Sequence, residues 1–231
     1  SLTKAKLSDD SPYHDYINTM FGKSMLLTYD NNKLKKMDII GMANSIHHVI
    51  KNTLLEGANE VSGDTISLSF IDEELTEILV RGGGIGMFIP ELSNSSLDTI
   101  INYSGETIHY NIPEQENYFY NNSSIKYQDT ELTAEYIKVN WNTNKLTSYI
   151  ENNIKPSVKT DSKSHPMVGD TLFYDLVAER GRIKKGQTEL NDAFYHGKEI
   201  ISDQNSNIYS YNGIYTSCDL ENPHYYFLSQ K

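Results

Sequence analysis

The chain has 231 residues and sets 20 Lys and Arg against 31 Asp and Glu, a net charge of −11, which excludes a protein built to neutralise a phosphate backbone. With 17 Tyr, 7 Phe and 1 Trp it is too rich in aromatic surface for a disordered chain, and no apolar run approaches the roughly 20 residues of a membrane-spanning helix. The single cysteine, Cys218, excludes an internal disulfide and a cysteine-based zinc site.

Residues 1–20 carry no legible pattern and stay unassigned. From there a short motif recurs. Gly22 to Tyr29 has the same shape as Gly63 to Phe70, Gly105 to Ile112, Ala134 to Trp141 and Gly169 to Leu176, with a weaker copy from Gly197 to Asp203. The copies start at irregular spacings of about 30 to 42 residues. Within them apolar residues fall two apart: Ile66, Leu68, Phe70; Ile108, Tyr110, Ile112; Ile137, Val139, Trp141; Leu172, Tyr174, Leu176. Period two is the signature of a strand with one apolar face, so these residues face inward and Ser67 and Lys138 face outward.

A polar turn and a second strand come after each first strand. Asp30 to Lys33 precedes Leu34, Asp72 to Glu74 precedes Leu75, and Asn142 to Lys145 precedes Leu146, each Leu at the same distance from the start of its copy. Asn and Asp tolerate left-handed backbone angles, which is why they close hairpins. Met37 to Leu55 has apolar residues at a spacing that also fits a helix. Strands are expected there, because the equivalent stretch after Leu75 holds Gly82, Gly83, Gly84 and Gly86, costly in a helix. The expected fold is all-β, a curved, open-ended β-jellyroll or β-solenoid of stacked hairpins, continuous over 21–231, with loops near 90–104 and 154–168.

The chemistry-bearing residues point away from catalysis. Arg81 to Gly86 departs from the dinucleotide-binding glycine spacing, because Met87 takes the sixth place counted from Gly82, and the stretch from Met87 to Pro90 reads as strand; a bulge or strand crossing is expected. The adjacent His47 and His48 point to opposite faces of a strand and cannot share a metal. Asp64, Glu106, Glu135 and Asp170 recur once per copy at the strand starts, the pattern of strand-start hydrogen bonding rather than of a localised acid pair. The basic stretches Lys33 to Lys36 and Arg180 to Lys185 are too short for a binding stripe. No catalytic residue, metal or cofactor is implied.

Longer segments carry a resemblance. Tyr127 to Asn144 resembles the OstA-like repeat of lipopolysaccharide-assembly proteins, and Asn59 to Ile66 together with Leu75 to Gly82 is similar to the same repeat in the LptA/LptD group. Tyr211 to Phe227 resembles the segment where the periplasmic β-jellyroll region of LptD hands over to its outer-membrane barrel. The similarity runs from about Gly22 to the end. It implies a non-enzymatic periplasmic conduit that receives lipopolysaccharide from a bridge of like-folded subunits and passes it to an outer-membrane barrel. The twelve inward residues above would line the lipid track, and the first hairpin, around Gly22 to Tyr29, would dock a bridge subunit. For Cys218 the resemblance implies a disulfide to a cysteine of the absent barrel. Because the chain stops at Lys231, it would be the periplasmic region of an LptD-like protein, attached to the outer membrane in full length, or a barrel-less relative; the N-terminal Cys that many such proteins carry is missing. The alternative from a different class is a polysaccharide-binding or polysaccharide-cleaving β-helix.

Overall fold

The computed structural model describes residues 2–6, 16–51, 53–160, 165–190, 193–205, 207–218 and 224–229. The fold is all-β, and the described residues contain no α-helix. The chain divides into two compact units, Ser1–Asn121 and Asn122–Lys231. The first holds β1 (Leu2–Lys6), β2 (Ile17–Phe21), β3 (Ser24–Asp30), β4 (Lys33–Lys51), β5 (Leu54–Ile71), β6 (Glu74–Pro90) and β7 (Ile101–Asn111). The boundary falls within β8 (Glu116–Tyr127). The second holds β9 (Thr130–Asn140), β10 (Lys145–Tyr149), β11 (Ser157–Lys159), β12 (Met167–Val168), β13 (Thr171–Asp175), β14 (Arg180–Leu190), β15 (Ala193–Ser202), β16 (Ile208–Thr216) and β17 (Phe227–Ser229).

The hairpins close where the sequence places them. Asn31 and Asn32, with φ of 49° and 62°, join β3 to β4, and Asp72 and Glu73, at 48° and 69°, join β5 to β6. Two consecutive positive φ values match the right-handed twist of the flanking strands. Asn144, at φ 52°, ends the turn between β9 and β10. Met37 to Lys51 belongs to β4 and Leu54 and Leu55 to β5, with no helix among the described residues of the stretch. The registers of β1 with β2, β4 with β5, β9 with β10 and β14 with β15 are antiparallel, as are the others defined between these strands. Parallel coiling of the β-helix type is not how these strands pair.

Gly22 and Gly169 stand just before β3 and β13, as expected, but Gly63 and Gly105 mark corners within strands rather than strand starts. β4, β5 and β6 run straight through Gly41, Gly63 and Gly82–Gly83, and their registers slip between Ile40 and Ala43, between Ser62 and Thr65, and between Arg81 and Gly84. A β-bulge bends its strand, and bulges at one level of successive strands bend them together. Each long strand therefore serves two half-sheets: β4 pairs with β3 over Lys33–Ile40 and with β2 over Asn44–Ile46. The second unit splits likewise, β9 pairing with β10 along Ile137–Asn140 and with β11 along Glu131–Thr133. The polar connections are also shorter than the alternation suggests. β6 continues to Pro90 and β7 begins at Ile101, while the 154–168 stretch contains β11 and β12.

Candidate functional site

The interior of each unit is built from cross-strand rows. In the first unit Ile39 of β4 faces Ile66 of β5, Ile66 faces Val80 of β6, and Val80 faces Ile108 of β7. All four are 0% exposed. Neighbouring strands lie about 4.8 Å apart, so such a row is one unbroken apolar rib. Beside it runs Met37, Leu68, Ile78 and Tyr110. In the second unit Ile137, Ser148, Leu172, Ile183 and Ile200 succeed one another across β9, β10, β13, β14 and β15. Ser148 is the polar rung, and its hydroxyl donates to the Tyr136 carbonyl at 2.6 Å.

Of the residues expected to face inward, Ile66, Leu68, Ile108, Tyr110, Ile137, Val139, Leu172, Tyr174 and Leu176 are buried. Phe70, Ile112 and Trp141 are half-buried, at or just past the ends of their strands. One outward assignment needs correction: Ser67 is buried, because the Asp38 carboxylate across the pair accepts its hydroxyl at 2.5 Å. Burial pushes the Asp38 carboxyl up, but hydrogen bonds from Lys36 and Ser67 more than offset this and leave it below the usual range. Lys138 is half-buried. Alternation had missed Ile39, Val80, Ile183 and Ile200, although Ile39 stands two residues from Met37 and Val80 two from Ile78.

The first unit also has a polar belt that alternation did not reveal. The Tyr110 hydroxyl donates to that of Tyr103 at 2.9 Å, and Tyr103 donates to Asn59 Oδ1 at 2.6 Å. Tyr103 and Tyr110 lie on opposite sides of the point where β7 meets the β6 bulge, so the phenol pair ties one half-sheet to the other. Phe119 packs edge-on to Tyr103 with ring centroids 5.5 Å apart. Burial pushes the Tyr110 hydroxyl up to about 12, and burial together with the Tyr110 neighbour pushes Tyr103 well above the ordinary value. In an unfolded chain both would ionise near 10. Their contribution to stability is therefore complete below about pH 10 and is lost as pH rises towards about 12. An alkaline titration monitored by phenolate absorbance is expected to show these two tyrosines ionising only together with unfolding. Ionisation of every tyrosine near pH 10 with native amide signals intact would contradict the belt.

Other expected features separate in space. His47 is held below its ordinary value by burial and by His48, while the His48 backbone N–H donates to Asn18 Oδ1 at 2.8 Å. Among the described residues no three His, Cys, Asp or Glu side chains gather to hold a metal. Asp64 and Glu106 stand at the bulges, outside the ladders of β5 and β7. Asp170 instead meets Lys185 at 2.8 Å and Lys155 at 3.7 Å, and the Lys185 hydrogen bond holds its carboxyl below the usual range. The thiol of Cys218 is free and half-buried; its backbone N–H donates to Thr216 Oγ1 at 3.0 Å, and its Sγ lies 3.9 Å from His224 Nδ1. Pro223 and Asp219, which frame it in the sequence, lie outside the described residues. Tyr225, Tyr226, Phe227 and Leu228 beside it are all more than half exposed.

No protein family matches the chain, and no curated protein does. Among solved structures the chain is similar to LptH from Pseudomonas aeruginosa, described as the LptA homologous periplasmic component of the conserved lipopolysaccharide transport device, with 12% identity and a TM-score of 0.40 over 53% of this chain and 75% of that one.

Proposed function

We propose that this chain is a non-enzymatic periplasmic conduit for lipopolysaccharide. The observation that carries the reading is the pair of interior ribs, Ile39 to Ile108 in one unit and Ile137 to Ile200 in the other. Each methylene moved out of water contributes about 0.8 kcal/mol, so an acyl chain of roughly a dozen carbons favours such an interior by about 10 kcal/mol. The hairpins supply that surface strand by strand, and the task requires no catalytic group. The resemblance to the OstA-like repeat at Asn59 to Ile66 with Leu75 to Gly82, and at Tyr127 to Asn144, supports the same assignment.

In this reading the half-buried Phe70, Ile112 and Trp141 lie where acyl chains enter or leave the ribs. β3, with Leu26, Leu27 and Tyr29 exposed, meets a like-folded bridge subunit edge to edge. The exposed aromatic residues around Tyr225 to Leu228 face an outer-membrane barrel, to which Cys218 is bonded.

Photo-crosslinkers placed in cells of the source organism test the reading in one set. Probes at Leu68 and Val139 are expected to capture lipopolysaccharide, and a probe at Leu27 a like-folded subunit. Cys218→Ser should remove a disulfide-linked form on a non-reducing gel. Capture of lipopolysaccharide only from the outward-pointing Lys138, with none from Leu68 or Val139, would sink the conduit.

A further inference from the structure

The second unit carries a cavity of about 760 Å³ lined by residues other than the buried ribs. Its setting begins with an interruption in the ladders. β14 and β15 pair through Lys184–Glu199 and resume at Gly186–Gly197, leaving Lys185 and Lys198 opposite each other without ladder pairing. β15 and β16 do the same, leaving Lys198 opposite Asn212. Lys185 and Asn212 take positive φ, 48° and 49°. Three adjacent strands thus present Lys185, Lys198 and Asn212 at one level, and all three line the cavity together with Lys155.

Two ammonium groups directly opposite on neighbouring strands destabilise a sheet, so the fold gains nothing from this pairing. Internal compensation is partial. Asp170 draws on both Lys155 and Lys185. Glu199, the nearest carboxylate in sequence to Lys198, is engaged by Arg182. Lys198 makes no ion pair with a described residue. Among the described residues three ammonium groups therefore face one carboxylate, in a chain whose overall charge is −11.

We propose that this cavity binds a phosphate group, either free or carried on a lipid head. A phosphate dianion balances the two uncompensated charges, and its several oxygens accept from ammonium groups on two strands and from the Asn212 amide at once. A carboxylate brings one charge and two oxygens to the same row. Phe194 and Ile214 in the lining give the cavity an apolar wall beside the polar row. The lysines remain solvent-accessible, with Lys185 76% exposed, so binding is weak and salt-dependent. The site is separate from the interior ribs and stands whether or not the interior carries lipid.

The test uses the full chain and inorganic phosphate, with sodium chloride at matched ionic strength as the control. The amide signals of Gly186, Gly197 and Gly213 are expected to shift with phosphate and saturate at roughly 1 to 10 mM. Lys185→Gln and Lys198→Gln should each weaken binding about tenfold, the value of one charged hydrogen bond. Lys198→Gln should not melt lower than the parent in phosphate-free buffer of low salt, because it relieves a like-charge contact without breaking an ion pair to a described residue, whereas Lys185→Gln also gives up the Asp170 ion pair. Vesicles of phosphatidylglycerol in phosphatidylcholine identify the source. Co-sedimentation that Lys198→Gln abolishes assigns the group to a lipid head, and phosphate shifts without vesicle binding assign it to free phosphate. Chloride shifts equal to phosphate shifts, variants that bind phosphate as the parent does, or a Lys198→Gln variant that melts lower because the lysine serves the fold would each overturn the proposal.

Discussion

Replacing Ile66 with Asp is expected to unfold the first unit. Ile66 is 0% exposed and stands at the centre of a four-strand row, touching Ile39 on one side and Val80 on the other. A carboxylate there would have only aliphatic neighbours in its row, and an unpaired buried charge costs several kcal/mol even after its pKa adjusts. A unit of this size is stable by about 5 to 15 kcal/mol, so that single change removes much or all of it. A graded series isolates the cause. Ile66→Val should cost about 1 kcal/mol and Ile66→Ala about 2 to 5, because the strands on either side limit collapse of the cavity. Denaturant midpoints would give the order Val, Ala, Asp. An Ile66→Asp variant as stable as Ile66→Ala would mean that the row is open to water and is not a packed rib.

Much of this architecture is legible in the sequence because period two is a local signal. Ile66, Leu68, Ile108, Ile137, Val139 and Leu172 are inward by alternation and buried in fact. The hairpin turns are legible for the same reason, since Asn31, Asn32 and Asn144 declare their positive φ through residue type. What alternation does not report is where a strand bends. The glycines at 63 and 105 look like strand starts, because a bulge interrupts periodicity as an end does; only the pairing of β5 with β4 and β6 shows the strand continuing. Ser67 failed for a related reason. A strand face is inferred from one chain, but burial of a small side chain depends on what its cross-strand neighbour carries, here Asp38.

The two polar features were invisible for a different reason. Lys185 and Lys198 lie 13 residues apart in sequence, and Tyr103, Tyr110 and Asn59 meet only through the corner in β7. Short basic stretches looked too sparse for a binding stripe, and along the chain they are. Register concentrates them, because a hairpin folds Lys198 back onto Lys185 and a third strand adds Asn212. Sites of this kind come from long-range pairing, and no single-segment motif announces them.

Gly86→Val is the second change expected to have a large effect, and it tests the polar belt directly. A Cβ at Gly86 would collide with the Tyr103 ring, closer than real side chains approach. A loosely held tyrosine would swing aside, but this one is fixed on several sides. Its hydroxyl is bound to Asn59 and accepts from Tyr110, and its ring packs against Phe119. Moving it would leave buried hydroxyl and amide groups unsatisfied, about 1 to 3 kcal/mol each, on top of overpacking of about 1 to 3 kcal/mol. The expected loss is roughly 3 to 6 kcal/mol, far above the modest change expected for a glycine replaced in an ordinary strand position. The cause can be separated from backbone effects by a double-mutant cycle with Tyr103→Leu, which clears the space that the new methyl groups need. If the clash is the mechanism, the two changes should couple by at least about 1 kcal/mol, with Gly86→Val costing markedly less when Tyr103→Leu is already present. Strict additivity would place the role of Gly86 in the strand itself and leave the contact with Tyr103 incidental.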